Sequence, residues 1–202
     1  MAWIVAIGMP IALFIWFTLA YFFRVNVNDP TVAEILVDFN ILLWGTISII
    51  EIKKKFGLEI LGFKSPVKTI LIALSAGILI GILGFFFEFW KSKAYNFPGP
   101  YSSIPIFVSF IIGSILEEII WRAYVLRALG FGWVGLVVSS VFFGLHHIGL
   151  SFKNFIFAIM AGFILGGFYM KTSLFWGVAL GHVLANILFL PLSSAIFKSV
   201  IK

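Results

Sequence analysis

Long apolar runs separated by short polar stretches dominate the chain. Most runs approach the roughly 20 residues that an α-helix needs to cross the hydrocarbon core of a bilayer. The pattern predicts seven membrane-spanning helices, which cover residues 2–23, 31–50, 69–90, 104–127, 132–149, 153–170 and 173–190. The tail, residues 192–202, predicts a short eighth helix or an interfacial segment. We expect residues 1–202 to form a single transmembrane domain.

The polar stretches between the runs contain recognisable start and stop signals. Asp29 and Pro30 indicate the start of the second helix, as the cap and in the first turn respectively. Residues 51–68 form a basic amphipathic connector that we expect on the membrane surface. In the stretch 91–103, the triplet Pro-Gly-Pro predicts a turn.

Composition agrees with a polytopic, all-α membrane protein. Hydrophobic residues make up 62% of the chain and charged residues 11%, whereas soluble domains are about one quarter charged. The absence of cysteine excludes disulfides and thiol chemistry. The net charge of +6 is that of lysines facing anionic lipid, and no aromatic-plus-basic nucleic-acid module is visible. The first run lacks a signal-peptide pattern and is expected to be retained.

The distribution of basic residues predicts an orientation. Short cytoplasmic loops are enriched in lysine and arginine, and the connector 51–68 carries the largest group. Its members are Lys53, Lys54, Lys55, Lys64 and Lys68. We therefore expect the connector to face the cytoplasm.

Three charged residues lie inside the fourth run, in the stretch EEIIWR. Each such side chain near the bilayer centre costs about 2.5–3.5 kcal/mol on insertion scales, and intramembrane ionisable residues are functional by default. Glu118 and Arg122 are spaced i and i+4, so they can pair on one helix face. Glu117 points about 100° away from them and has no obvious basic partner.

All three histidines of the chain lie within or at the end of predicted spans. His146 and His147 end the fifth run. His182 lies in the seventh run, four residues before Asn186, so that this pair also shares a helix face. Both i, i+4 pairs also have a structural interpretation. Glu118 and Arg122 can form a buried ion pair that fixes helix packing, and His182 with Asn186 can form an interhelical hydrogen bond that holds spans together.

Taken together, these residues are the inventory of a hydrolytic site shared by helices four, five and seven. The chain lacks the H-E-x-x-H motif of zinc proteases and a Gly-x-Ser-Gly loop, and its two aspartates, Asp29 and Asp38, are too close in sequence for an aspartyl dyad. What remains is a water activated by Glu and His, with His and Asn donors for the oxyanion. A transporter with a proton relay is a competing interpretation, although no repeat is seen.

Three motifs in order carry a resemblance to a known family. They are EEIIWR at residues 117–122, FGLHH at residues 143–147 and HVLAN at residues 182–186. The chain resembles the CPBP intramembrane proteases, the group of CAAX prenyl proteases and of bacteriocin-processing or immunity proteins of the Abi family. The resemblance covers a motif-bearing core of about residues 104–190.

This resemblance implies a role for each motif residue. Glu117 is expected to be the general base for a water that His147 also holds, and His182 with Asn186 to stabilise the oxyanion. Glu118 and Arg122 are expected to fix the helix and to orient these neighbours.

The resemblance leaves two choices open. If a Zn²⁺ ion is present, its ligands are expected to be Glu117, His147 and His182, since three ligands and a water make a catalytic site. A metal-free activated water is equally compatible. Between the adjacent histidines we expect His147, and not His146, to face the site, because two neighbouring rings on a helix point about 100° apart.

The implied function is intramembrane hydrolysis of a peptide bond in a membrane-associated or prenylated, CAAX-like substrate. The expected partners are membrane lipid and that substrate, with no nucleic acid. The short chain suits a member from a prokaryotic cytoplasmic membrane. The alternative is a non-catalytic bacteriocin-immunity or scaffold protein with the same fold. Glu34 and Asp38, in the second span, receive no role.

Overall fold

A computed structural model of the chain describes residues 1–23, 25, 30–90, 104–147 and 152–189. The described residues are helical and contain no strand, which confirms the all-α prediction. The helices are α1 (Ala2–Phe22), α2 (Pro30–Lys55), α3 (Pro66–Trp90), α4 (Ile104–Glu118, continued by a π-helix, Ile119–Leu126), α5 (Trp133–His146), α6 (Phe152–Thr172) and α7 (Phe175–Leu184, continued by a π-helix, Ala185–Phe189).

The bundle has the character of a membrane protein. By length and composition, α1, α2, α3 and α6 can each cross a bilayer, whereas α5 and α7 are shorter apolar helices. Large apolar side chains such as Phe14, Ile78 and Met160 are exposed on the outer surface. Lipid suits such a surface because the side chains are apolar and a helix satisfies its own backbone polar groups.

The second helix is longer than its predicted span, 31–50, because residues 51–55 of the predicted connector belong to the helix. Its last turn is supported by ion pairs of Glu51 with Lys54 at 3.7 Å and with Lys55 at 3.1 Å, at the i+3 and i+4 spacings that stabilise a helix. The chain then turns at Gly57, where φ is +78°. The five connector lysines are exposed, as the surface prediction requires.

Both helices that carry the first and third motifs change their winding within the motif. α4 becomes a π-helix at Ile119 and α7 does so at Ala185. The predicted spans are helical here, and the π winding is a detail that the sequence pattern did not indicate. A π-turn bonds residue i to i+5 and is common at functional sites, where it re-aims side chains.

Some sequence predictions concern residues outside the described ranges. The capping role of Asp29, the loop 91–103 and the tail 192–202 are among them. The start of α2 at Pro30 lies within the described part and agrees with the prediction.

Glycines allow α5 and α6 to pack closely behind the motifs. A Cβ added to Gly162 of α6 would lie 3.0 Å from Ser140 Cα of α5 and 3.3 Å from Phe143 Cδ1. A backbone atom cannot retreat as a side-chain end can, so the two helices would have to separate. By contrast, a Cβ added to Gly167 meets nothing within 4 Å.

This difference predicts opposite effects of one substitution at two positions in α6. Gly162→Ala is expected to destabilise the bundle by about 1–3 kcal/mol through overpacking. Gly167→Ala is expected to stabilise it by about 0.5–1 kcal/mol, the ordinary gain of alanine in a helix. Thermal unfolding of the two variants in detergent measures this, and equal shifts would contradict the close approach of α5 and α6.

Candidate active site

The carboxylate of Glu117 lies among the ring nitrogens of all three histidines. Its Oε1 is 3.5 Å from His146 Nε2 and 3.7 Å from His147 Nε2, and its Oε2 is 3.8 Å from His182 Nε2. Glu117 belongs to α4, while the histidines belong to the end of α5 and to α7. The helices predicted to share a site therefore do bring these four side chains together.

The expectation that only one of the two adjacent histidines faces the site was wrong. α5 ends at His146, and His147 leaves helical geometry at φ −96° and ψ 1°, with its N–H bonded to Gly144 O at 2.8 Å. The rings are consequently not fixed at the helical angle, and both reach Glu117. Their centroids are 5.3 Å apart with perpendicular planes. His146 is buried, whereas the His147 side chain is 24% exposed.

Glu118 connects the first motif to the third. Its Oε1 accepts a hydrogen bond of 2.9 Å from His182 Nδ1. Its Oε2 is 3.2 Å from Arg122 Nε, an ion-pair contact without hydrogen-bond alignment. Both Glu118 and Arg122 are fully buried. The predicted i, i+4 pair is therefore present, and it also determines how His182 is held.

Arg122 and Phe143 tie this pair to the second motif and to α6. Arg122 Nη2 donates to Gly162 O at 3.3 Å, and its guanidinium carbon lies 4.5 Å from the centre of the Phe143 ring. That ring in turn contacts His147 and His182 edge-on, at centroid distances of 4.7 and 5.7 Å. Phe143 of the second motif therefore packs between Arg122 and the rings of His147 and His182.

Asn186 bonds to a residue that the sequence analysis missed. Its Nδ2 donates to Ser114 Oγ at 3.0 Å, and Ser114 donates onward to Phe110 O at 2.6 Å. Ser114 precedes Glu118 by four residues, as His182 precedes Asn186. Two antiparallel rungs, 114–186 and 118–182, therefore join α4 to α7. This matched spacing was the available signal for Ser114, a hydroxyl in an otherwise apolar run.

Two acidic residues of the second span, Glu34 and Asp38, received no role in the sequence analysis, and the structure describes the side chain of Asp38 alone. Asp38 of α2 is half-buried. The side chain of Glu34 lies outside the described set.

A catalytic zinc site needs three protein donor atoms that point at one common position. Among the described residues, no group of three or more His, Cys, Asp or Glu side chains has the arrangement of a metal centre. The ring nitrogens instead surround the carboxylate oxygens at 3.5–3.8 Å.

Comparisons with known proteins cover less than half of the chain, and the family match includes the residues of this site. Residues 99–188 match a family described as type II CAAX prenyl endopeptidase Rce1-like. Over 85 residues, the chain is 38% identical to a Bacillus subtilis (strain 168) protein named "Putative membrane peptidase YdiL". That alignment covers 40% of this chain and 34% of the relative. No solved structure matches.

The matched region, 99–188, includes all three motifs and every side chain of the cluster around Glu117. The chain spans about a third of the length of this curated relative. The resemblance to the CPBP intramembrane proteases that the three motifs indicated is therefore confirmed.

Proposed function

We propose that the protein is an intramembrane endopeptidase that hydrolyses a peptide bond through a water activated by Glu117 and His147. The observation that carries this proposal is a single buried carboxylate surrounded by three imidazole nitrogens at 3.5–3.8 Å, inside a bundle of apolar helices. A structural ion pair needs one partner, whereas this grouping offers several positions for proton transfer. The family match and the membrane-peptidase name of the relative support the same class of reaction.

In the proposed reaction, Glu117 removes a proton from the water as its oxygen attacks the scissile carbonyl carbon. His147 holds that water through Nε2. Its Nδ1 lies 2.8 Å from Phe143 O, which only accepts, so the ring proton is on Nδ1 and Nε2 offers a lone pair. A carboxylate and a neighbouring lone pair together accept both protons of one water and aim its oxygen at the substrate.

Stabilisation of the tetrahedral oxyanion is assigned to Asn186 and His182. The amide of Asn186 has two N–H groups, and the bond to Ser114 uses one of them. His182 donates its Nδ1 proton to Glu118, so its Nε2 is a donor when the ring carries a second proton. Glu118 thus orients His182 as the buried carboxylate of a catalytic triad orients its histidine.

The products follow when the proton taken from the water passes to the leaving nitrogen. Glu117 Oε2 lies 3.8 Å from His182 Nε2, which gives that proton a second carrier. The carbon–nitrogen bond then breaks, and a new carboxylic acid and an amine leave the site. This sequence consumes one water and no other reactant.

The proposed substrate is a membrane-associated peptide segment or a prenylated, CAAX-like C-terminus. A substrate with a lipid chain can reach the site from the bilayer, since the outer surface of the bundle is apolar. The proposed location is a prokaryotic cytoplasmic membrane with the connector 51–68 towards the cytoplasm, where its exposed lysines meet anionic lipid.

Cleavage of a reporter peptide library by the purified protein tests the proposal. Prenylated and unprenylated peptides should be compared, each with and without a chelator. We expect cleavage that survives the chelator, and preference for one peptide set identifies the substrate class. A protein that binds membranes normally but cleaves no member of either set would support the non-catalytic immunity or scaffold alternative.

A further inference from the structure

His146 lies within the second motif but was expected to face away from the site, yet its Nε2 is the ring nitrogen nearest to Glu117, at 3.5 Å from Oε1. Its ring is almost completely buried, with 1% of the side chain exposed. Such a histidine has to be accounted for, because a buried polar ring without a function or partner is costly.

The other two rings cannot donate to Glu117 in their neutral forms. His147 has its proton on Nδ1, facing a backbone carbonyl. His182 likewise has its Nδ1 2.9 Å from the carboxylate of Glu118, an acceptor, so its proton is on Nδ1. Both rings therefore present a bare Nε2 towards a carboxylate that is itself an acceptor.

His146 has the opposite preference. Its Nδ1 is buried and has no hydrogen-bond partner among the described residues. A proton on Nδ1 would leave a buried donor unsatisfied, at a cost of about 1–3 kcal/mol. A proton on Nε2 instead faces the carboxylate of Glu117. Of the three neutral rings, His146 is thus the one equipped to donate to it.

We propose that His146 is a positioning residue for the hydrolysis proposed above: its Nε2–H donates to Glu117 Oε1 and holds the carboxylate in line with the water. The 3.5 Å separation shortens when substrate closes the site, as catalytic hydrogen bonds commonly do. Each ring then has one role: His146 orients the carboxylate of Glu117, His147 holds the water and His182 stabilises the oxyanion. This inference rests on the proposed function.

A matched pair of variants tests this role. His146→Gln keeps an N–H donor near the position of Nε2, whereas His146→Met fills the space and has none. We expect His146→Met to lower kcat about 10- to 100-fold, the range of a hydrogen bond to a charged group, with little change in KM. His146→Gln should recover most of that loss. If both variants match the parent in kcat, or if both lose it equally while remaining folded, the proposal is wrong.

Nitrogen-15 NMR of histidine-labelled protein provides a readout that needs no activity. The chain has three histidines, so three single substitutions assign the spectrum. The expected result is a proton on Nε2 of His146 and on Nδ1 of His147. A bare Nε2 on His146 would overturn the inference even in an active protein. A parent protein that cleaves nothing would refute the proposed function instead, whatever the tautomers.

Discussion

Glu117→Gln is expected to lower kcat for peptide cleavage by about 10²- to 10⁴-fold, the usual contribution of a general base. Glutamine has nearly the same shape as glutamate but cannot accept the proton of the attacking water. The thermal unfolding midpoint should change little, because glutamine keeps the size of the side chain and leaves the buried pair of Glu118 and Arg122 in place. The comparison is made with steady-state cleavage and with unfolding in the same detergent.

Glu59→Gln is the matched control for this substitution. It makes the same chemical change at an exposed residue of the short 3₁₀ turn, Leu58–Leu61, away from the motif residues. Its kcat should equal that of the parent. A Glu117→Gln variant that cleaves as fast as Glu59→Gln would remove Glu117 from the chemistry.

Arg122→Met is expected to destabilise the folded bundle by about 3–5 kcal/mol, because it leaves Glu118 as a buried charge without its cation. The guanidinium also loses its contacts with Gly162 O and the Phe143 ring. Denaturant or detergent titration followed by helix content measures the loss in free energy of unfolding. An unchanged midpoint would show that the pair is not buried as described.

The double variant Glu118→Gln with Arg122→Met separates stability from orientation. Removing both charges relieves the uncompensated carboxylate, so much of the stability lost in the single variant should return. Cleavage should not return, because the glutamine amide no longer fixes the proton on His182 Nδ1. Recovery of both properties together would mean that Glu118 and Arg122 only hold the helices.

The sequence was informative where the length of the apolar runs, or the free-energy cost of placing a charge in lipid, allows few interpretations. Apolar runs of membrane length predicted the helices, and charged residues too costly to lie in lipid without a purpose predicted the site. The spacing of Glu118 with Arg122 predicted their ion pair, which the structure contains. The three motifs also predicted that Glu117 of α4 lies near the histidines of α5 and α7.

The sequence failed where local geometry departs from a regular helix. His146 was set aside because two adjacent rings on an ideal helix diverge, but α5 ends between them and both reach Glu117. The π-helical turns after Glu118 and Leu184 have no residue signature comparable to proline. Ser114 was missed because a lone hydroxyl in a transmembrane helix usually bonds to its own backbone, as this one also does.

Cross-linking between engineered cysteines tests most directly whether Glu117 of α4 meets the histidines of α5 and α7. The chain contains no cysteine, so each pair of substitutions is the sole reactive pair. With a short thiol cross-linker in native membranes, the pairs 117–147 and 117–182 should react efficiently. The control pair 112–182 should not, because Ile112 is exposed on the outer face of α4. Efficient reaction of the control, or none at the two site pairs, would contradict a shared site.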